Sequence, residues 1–313
     1  MSESDPGRAT PVPQTSDVGA AANVATSDVS TVEPYVPVPI TIRTLLDAGA
    51  HFGHKAEKWN PKMMPYIYGE RNRIHIINLD TTIELWERAR KFVLDVASRG
   101  GTVLFVGTKT QSRELVKEAA ERCGSFYVNN RWLGGTLSNF ETIRNSIVRM
   151  GKLEELLKSA EDKDSKIKLN KKERLNIARQ LDKLAVNLRG IRSMNRIPDV
   201  IFAVDILKER IAVAEARKLR IPLVALVDTN VDPSEVAFPI PSNDDAVRTI
   251  KLFLNAVSDA VNEGRMIYQA KLVEIEAQRV KAQEKSQEYR NAKAEASAQL
   301  EKSEPEKEQS AGA

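Results

Sequence analysis

Apolar and polar positions follow two different periods along this chain, and the switching between them predicts its architecture. Five short stretches are nearly continuous aliphatic and β-branched runs: residues 73 to 80 (RIHIINLD), 102 to 108 (TVLFVGT), 125 to 130 (SFYVNN), 199 to 205 (DVIFAVD) and 222 to 228 (PLVALVD). Runs of this kind are strands buried on both faces, the condition of a parallel sheet covered by helices. Amphipathic segments follow them with helix-start signals at the capping-box spacing: Thr81 with Glu84, Ser138 with Glu141, Ser242 with Asp245. Gly100 and Gly124 stand where helices should stop. The pattern predicts a three-layer, doubly wound α/β domain, opened by a helix from Thr41 and closed by a long one from Asn243.

One connection breaks the rhythm. About seventy residues separate the strands at 125 and 199, far more than a crossover helix needs. They hold two apolar series, Ile143, Ile147, Met150, Leu153 and Leu157, then Ile177, Leu181, Leu184, Leu188 and Ile191. The second alternates spacings of four and three, which is a coiled-coil seam. The polar stretch from 159 to 170 lies between them, and Asn170 with Glu173 reads as a further helix start. The segment from about 141 to 191 is therefore expected to project from the sheet as an antiparallel helical hairpin. Residues 141 to 190 carry thirteen basic and eight acidic side chains, Lys171 and Lys172 at the tip among them, so its surface is either a polyanion contact or a solvated helix face.

Charge divides the chain further. Residues 1 to 40 hold one basic residue, five acidic ones and six of the fourteen prolines; residues 265 to 313 hold nine charges of each sign. Setting tails of −4 and 0 against a total of +4 leaves +8 on residues 41 to 264, which is the basic part. Residues 1 to 40 read as a disordered extension, because they cannot bury enough apolar surface to offset their ordering entropy. Residues 265 to 313, rich in Ala, Glu, Lys and Gln, read as a charged extension that begins helical and frays. No apolar run reaches the length of a membrane span, and the first residues lack the pattern of a secretory signal. The single cysteine, Cys123, excludes a disulfide framework or a multi-cysteine zinc site and fits a small buried core residue.

Enzyme chemistry finds little support. The carboxyl ends of the predicted strands bear Asp80, Asp205, Asp228 and Asp232, which could hold Mg²⁺ or act as bases. No GxGxxG, Walker loop or GxSxG is present, and GTKT (107 to 110) and LGGT (133 to 136) read more simply as a loop and a cap. His51 and His54 form an HxxH, but Gly53 weakens the helix that would align them, and His75 reads as core; no metal or other cofactor is expected. A metal-dependent hydrolase built on these groups is the rival reading, and a protein-binding scaffold is another. What remains is recognition chemistry: Lys55, Lys58 and Lys62 around Trp59, Arg71 and Arg73 around Asn72, and Asn130, Arg131 and Trp132 in a second loop. Cations neutralise phosphates, and an indole or guanidinium plane stacks on an unpaired base; core packing of either tryptophan is the alternative.

A family resemblance runs from about Thr41 to Gly264. The string LLDAGAHFGHKAEKWNPKMMPYIYGERNRIHIINLD, followed in order by VLFVGTKTQ, FYVNNRWLGGTLSNF, IPDVIFAVD and IPLVALVDTNVDP, closely resembles bacterial small-subunit ribosomal protein S-two. The resemblance implies a flavodoxin-like parallel sheet of order 2-1-3-4-5 carrying a protruding helical hairpin. It further implies a structural, non-enzymatic role in the cytoplasm: binding small-subunit ribosomal RNA between head and body, beside other small-subunit proteins, and docking the mRNA-binding ribosomal protein S-one. No membrane and no small-molecule substrate is implied.

Overall fold

The computed structural model describes residues 38–161 and 169–303, with side chains as far as residue 283 apart from that of residue 161. The expectations of disorder before residue 38 and of fraying after residue 303 lie outside the described residues, as does most of the hairpin link. In chain order the elements are α1 (Ile42–Ala48), β1 (Phe52–Lys55), β2 (Ile67–Arg71), β3 (Ile74–Ile77), α2 (Leu79–Ala97), β4 (Val103–Val106), α3 (Arg113–Arg122), β5 (Phe126–Val128), α4 (Phe140–Glu161), α5 (Lys171–Leu188), β6 (Val200–Val204), α6 (Arg210–Lys218), β7 (Leu223–Val227), β8 (Phe238–Pro241) and α7 (Val247–Ser303).

Five strands form one parallel sheet in the order β5-β4-β6-β7-β8. Numbered within the sheet alone, this is the expected 2-1-3-4-5, but its membership corrects the sequence reading. The first predicted strand, residues 73 to 80, is not in it: β3 is the middle of a separate antiparallel sheet ordered β1-β3-β2. Its residues alternate half-buried and buried, as one-sided packing requires, and only its high aliphatic content made it look buried throughout. The fifth parallel strand is instead β8, whose Pro239 and Pro241 disguise it. Both prolines are tolerated because, among the described residues, β8 is an edge strand with β7 as its one neighbour.

Successive strand residues point to opposite faces, so the sheet separates two cores. Phe105 and Phe202 meet at 5.9 Å on one face and join Leu45, Trp86, Phe253 and Val257 of α1, α2 and α7. Leu104, Val106, Ile201 and Ala203 on the other face meet Ile147, Met150, Leu188 and Val213 of α4, α5 and α6. The expected helix stops hold, Gly100 and Gly124 taking φ of 75° and 58°. The expected starts shift by one to four residues, α7 beginning only at Val247. Asn78 caps α2 in place of Thr81, Asn243 accepts from the amides of Asp245 and Ala246 in the turn that leads into α7, and the Ser138 hydroxyl turns to Glu215. At α5, Glu173 accepts from the Asn170 amide at 2.9 Å, as its spacing predicts.

The two apolar series do form a seam. Ile143, Ile147 and Met150 of α4 share a core with Ala185, Leu188 and, just beyond α5, Ile191, so the helices run back alongside each other. Burial fades outward: Leu188 is 1% exposed, whereas Leu181, Leu184, Leu153 and Leu157 are half-buried. At the other end, α7 does not leave the body at residue 264. The Arg265 guanidinium donates to the carbonyls of Cys123 and Gly124, and the Tyr268 ring occupies the space a side chain at Gly100 would need. Further along α7, Met266 and Val273 are well exposed.

The burial gradient sets the expected cost of truncating the seam. Leu181→Ala and Leu184→Ala should each cost about 1 to 3 kcal/mol, and the fully buried Leu188→Ala about 3 to 5 kcal/mol, by chemical denaturation. Equal, near-zero losses at all three positions would mean that the seam does not hold the helices together.

Candidate functional site

The stretch from 50 to 63 is pinned to the carboxyl end of β7 by one residue, Thr229. Its hydroxyl accepts from the His54 amide at 2.9 Å and its carbonyl accepts from the Asn60 amide at 2.8 Å. Gly53 lies so close to the Thr229 side chain that a Cβ there would overlap it, which explains a glycine inside a strand. From this anchor β1 and β3 build the small sheet. The His51–His54 pair is therefore not on a helix: His54 is in β1, and His51 precedes it, its ring tilted against Phe52 at 4.0 Å. Burial lowers the His51 pKa. His75 is core, as expected, 8% exposed with Trp59 tilted against it at 5.0 Å.

Beneath this stretch lies a cluster of buried charge at the carboxyl end of the parallel sheet. His54 Nδ1 is 3.0 Å from Asp228, and its Nε2 is 3.6 Å from Asp245. Lys109, from the GTKT loop after β4, reaches Asp205 at 3.2 Å, Asp244 at 2.9 Å and Asp245 at 2.5 Å. Asp228 and Asp244 are each 1% exposed. Burial, reinforced by Asp205 and Asp228, pushes the Asp244 carboxyl up to about 7. The hydrogen bond to Asp228 raises His54, opposed by its own burial. Burial works against the Lys109 ammonium, but the surrounding aspartates hold its pKa above the usual lysine value. Donor atoms of His54, Asp228 and Asp244 lie within 4.8 Å of one another, a set that a divalent cation could take. Of the four aspartates expected together, only Asp205 and Asp228 are here. Asp80 lies in the first turn of α2, and Asp232 pairs with Lys62 at 2.5 Å, which holds the Asp232 carboxyl down at about 2.

The expected recognition residues fall in three places. Arg71, Asn72 and Arg73 are exposed at the β2–β3 turn, a two-residue connection in which Asn72 and Arg73 take φ of 54° and 61°, the geometry of a type I′ hairpin. Lys55 lies beside them, since it pairs with Ile74 and the next amide, of Ala56, donates to the Arg73 carbonyl at 2.9 Å. Lys58 is exposed, Trp59 half-buried, and Lys62 already committed to Asp232. Lys171 and Lys172 stand exposed at the start of α5.

The third place corrects one expectation. Trp132 is 6% exposed, and its indole N–H donates to Glu215 at 3.2 Å, so it packs against the body and does not stand out into solvent as a loop stacking platform would. Asn130 is half-buried and Arg131 exposed beside it. Glu215 also accepts from the amides of Gly135, Leu137 and Ser138 at 2.7, 2.9 and 3.0 Å and from the Ser138 hydroxyl. Burial opposes its charge, but these donors hold its pKa below the usual carboxylate value. Sequence reasoning missed Glu215, Asp244 and the role of Lys109. A buried acid within a helical pattern looks like any solvated one, and Lys109 was visible only as part of a loop.

Two outcomes are expected. Glu215→Ala should cost about 2 to 4 kcal/mol of stability, because it orphans several buried donors at once. Asp244 binds its proton more tightly folded than unfolded, so its contribution to stability should fall away as pH rises from about 4 to about 7, and the raised His54 adds a further loss that starts only from about 6.5 upward. Asp244→Asn should flatten that fall in urea titrations; a slope unchanged by the substitution would mean that the cluster is not its source.

Comparison with known proteins agrees with this geometry. The family described as ribosomal protein S2 matches residues 45–264. A protein named small ribosomal subunit protein uS2 from Koribacter versatilis (strain Ellin345) is 50% identical over 235 residues, covering 75% of this chain and 77% of its own. The protein of the same name from Coxiella burnetii is 51% identical over 228 residues, covering 73% and 72%. The match takes in the small sheet, the parallel sheet, the hairpin and the first turns of α7, and on it the chain belongs to the ribosomal protein S2 family, a family of ribosomal proteins and not of enzymes.

Proposed function

We propose that this chain is a structural constituent of the small ribosomal subunit, in the cytoplasm, that binds small-subunit ribosomal RNA between head and body. The observation that carries the reading is the exposed rim of the small sheet, where Lys55, Arg71 and Arg73 stand around a two-residue turn at positive φ and the exposed Lys58 follows three residues after Lys55. Arg73 is a bulky residue at positive φ, a conformation retained where a surface must present a particular group. Lys171 and Lys172 give the hairpin tip a second phosphate contact, and Arg131 the loop after β5 a third. Trp59 lends a half-buried indole to an unpaired base. Residues 41 to 264 supply the RNA-binding domain.

The same small sheet offers a protein contact. Met64 and Tyr68, 70% and 81% exposed, are large apolar groups on the segment between the buried Met63 and the β2–β3 turn. They support docking of the mRNA-binding ribosomal protein S-one beside the RNA. Among the described residues no helix is long and apolar enough to cross a membrane.

Salt dependence tests the RNA reading. Changing Lys55, Lys58 and Lys62 together to Ala should weaken binding to small-subunit RNA and reduce the log–log salt slope by roughly 0.7 to 0.9 for each phosphate that is no longer neutralised, with Lys62 contributing least because Asp232 already pairs with it. Trp59→Ala should lower affinity with the slope nearly unchanged, since stacking releases no counterions. Affinity and slope both unaffected by the triple change would overturn the reading.

A further inference from the structure

A cavity opens where the strand order of the parallel sheet reverses. The chain leaves β4 for β5 on one side and resumes at β6 on the other, so the topological switch point lies between the carboxyl ends of β4 and β6. Ligands of doubly wound sheets bind in this crevice. Here it is a cavity of about 540 Å³, the size of a small-ligand site, walled by Arg113, Arg131, Asn187, Lys208, Glu209 and Ile211.

Its lining divides by chemistry. Arg113, Arg131 and Lys208 bring three positive charges, and among the described residues none of them forms an ion pair. Lys109, by contrast, is saturated by three aspartates. The first turns of α3 and α6 open beside the cavity, at Arg113 and Arg210, and neither N-cap side chain satisfies its own helix. Among the described lining residues Glu209 is the one acid, 2% exposed, with its carboxylate accepting from the Thr108 amide at 2.7 Å. Ile211, 49% exposed, adds an apolar wall. Among the described residues the buried side-chain oxygen of Asn187 has no hydrogen-bond donor.

We infer that this cavity is a ribonucleotide site, taking a phosphate on Arg113, Arg131 and Lys208 and a ribose hydroxyl on the Asn187 oxygen. A bare phosphate would leave most of the volume and the Ile211 wall unused. The occupant is an unpaired nucleotide of a bound RNA strand; this deepens the RNA-binding reading but uses a different surface from the small-sheet rim. A free nucleoside monophosphate presents the same chemistry.

The test uses the full chain with three probes: labelled single-stranded hexa-adenylate followed by anisotropy, and AMP and inorganic phosphate followed by calorimetry. Arg131→Ala with Lys208→Ala should weaken hexa-adenylate binding at least about tenfold, against a much smaller loss for a charge-matched removal elsewhere, Arg217→Ala with Lys218→Ala. Asn187→Ala, which changes no charge, should narrow the preference for hexa-adenylate over its deoxy counterpart. Saturable AMP binding with the same sensitivities would also support the site and assign it to free nucleotide. The inference is overturned if the two double variants behave alike, or if phosphate binds as tightly as AMP. Retention of the Lys55 and Lys58 salt effect in that case would leave the wider RNA reading standing.

Discussion

A single buried carboxylate, that of Glu215 on α6, organises the part of the molecule that leaves the sheet. Five donors between Trp132 and Ser138 converge on its two oxygens, four of them from loop backbone or indole. A loop of that length would otherwise carry several unpaired buried N–H groups, each a direct loss of stability. The cost of burying the charge is offset by the donors themselves, which solvate it with protein in place of water. The consequence reaches outward, since this loop sets where α4 starts and so fixes the base of the hairpin. It also supplies one wall of the cavity at the β4–β6 switch point.

On the other half of the sheet edge, burial of charge is less complete. Asp205, Asp228 and Asp244 face one lysine and one histidine, and the carboxyl of Asp244 responds by holding its proton to about 7. Such clusters mark catalytic sites in many folds. Here the cluster sits under a strand instead of in an open cleft, and Thr229, next in sequence to Asp228, carries the opening stretch on its hydroxyl and carbonyl. The charge network thereby stands behind the small sheet whose outer rim is basic. Scaffold and surface are separate: the parallel sheet gives rigidity and register, and the exposed cations stand on the loops and turns around it.

The apolar pattern by itself determined four of the five parallel strands, the glycine stops, the capping of α5 by Glu173 and the existence of the hairpin, because each depends on local period or local backbone geometry. It misassigned β3, since four aliphatic-rich residues read alike whether buried on one face or two, and it overlooked β8, since prolines are acceptable only at an edge and edges are not visible along a chain. The exposed cations were likewise legible by type and spacing. Only the tertiary structure decided which were free: Lys62 is neutralised by Asp232, 170 residues away, Lys109 by aspartates that follow β6 and β8, and Trp132 is turned inward by Glu215, 83 residues away. Pairings of that range follow from how strands order themselves in the sheet, a property of the whole fold that no window of sequence contains.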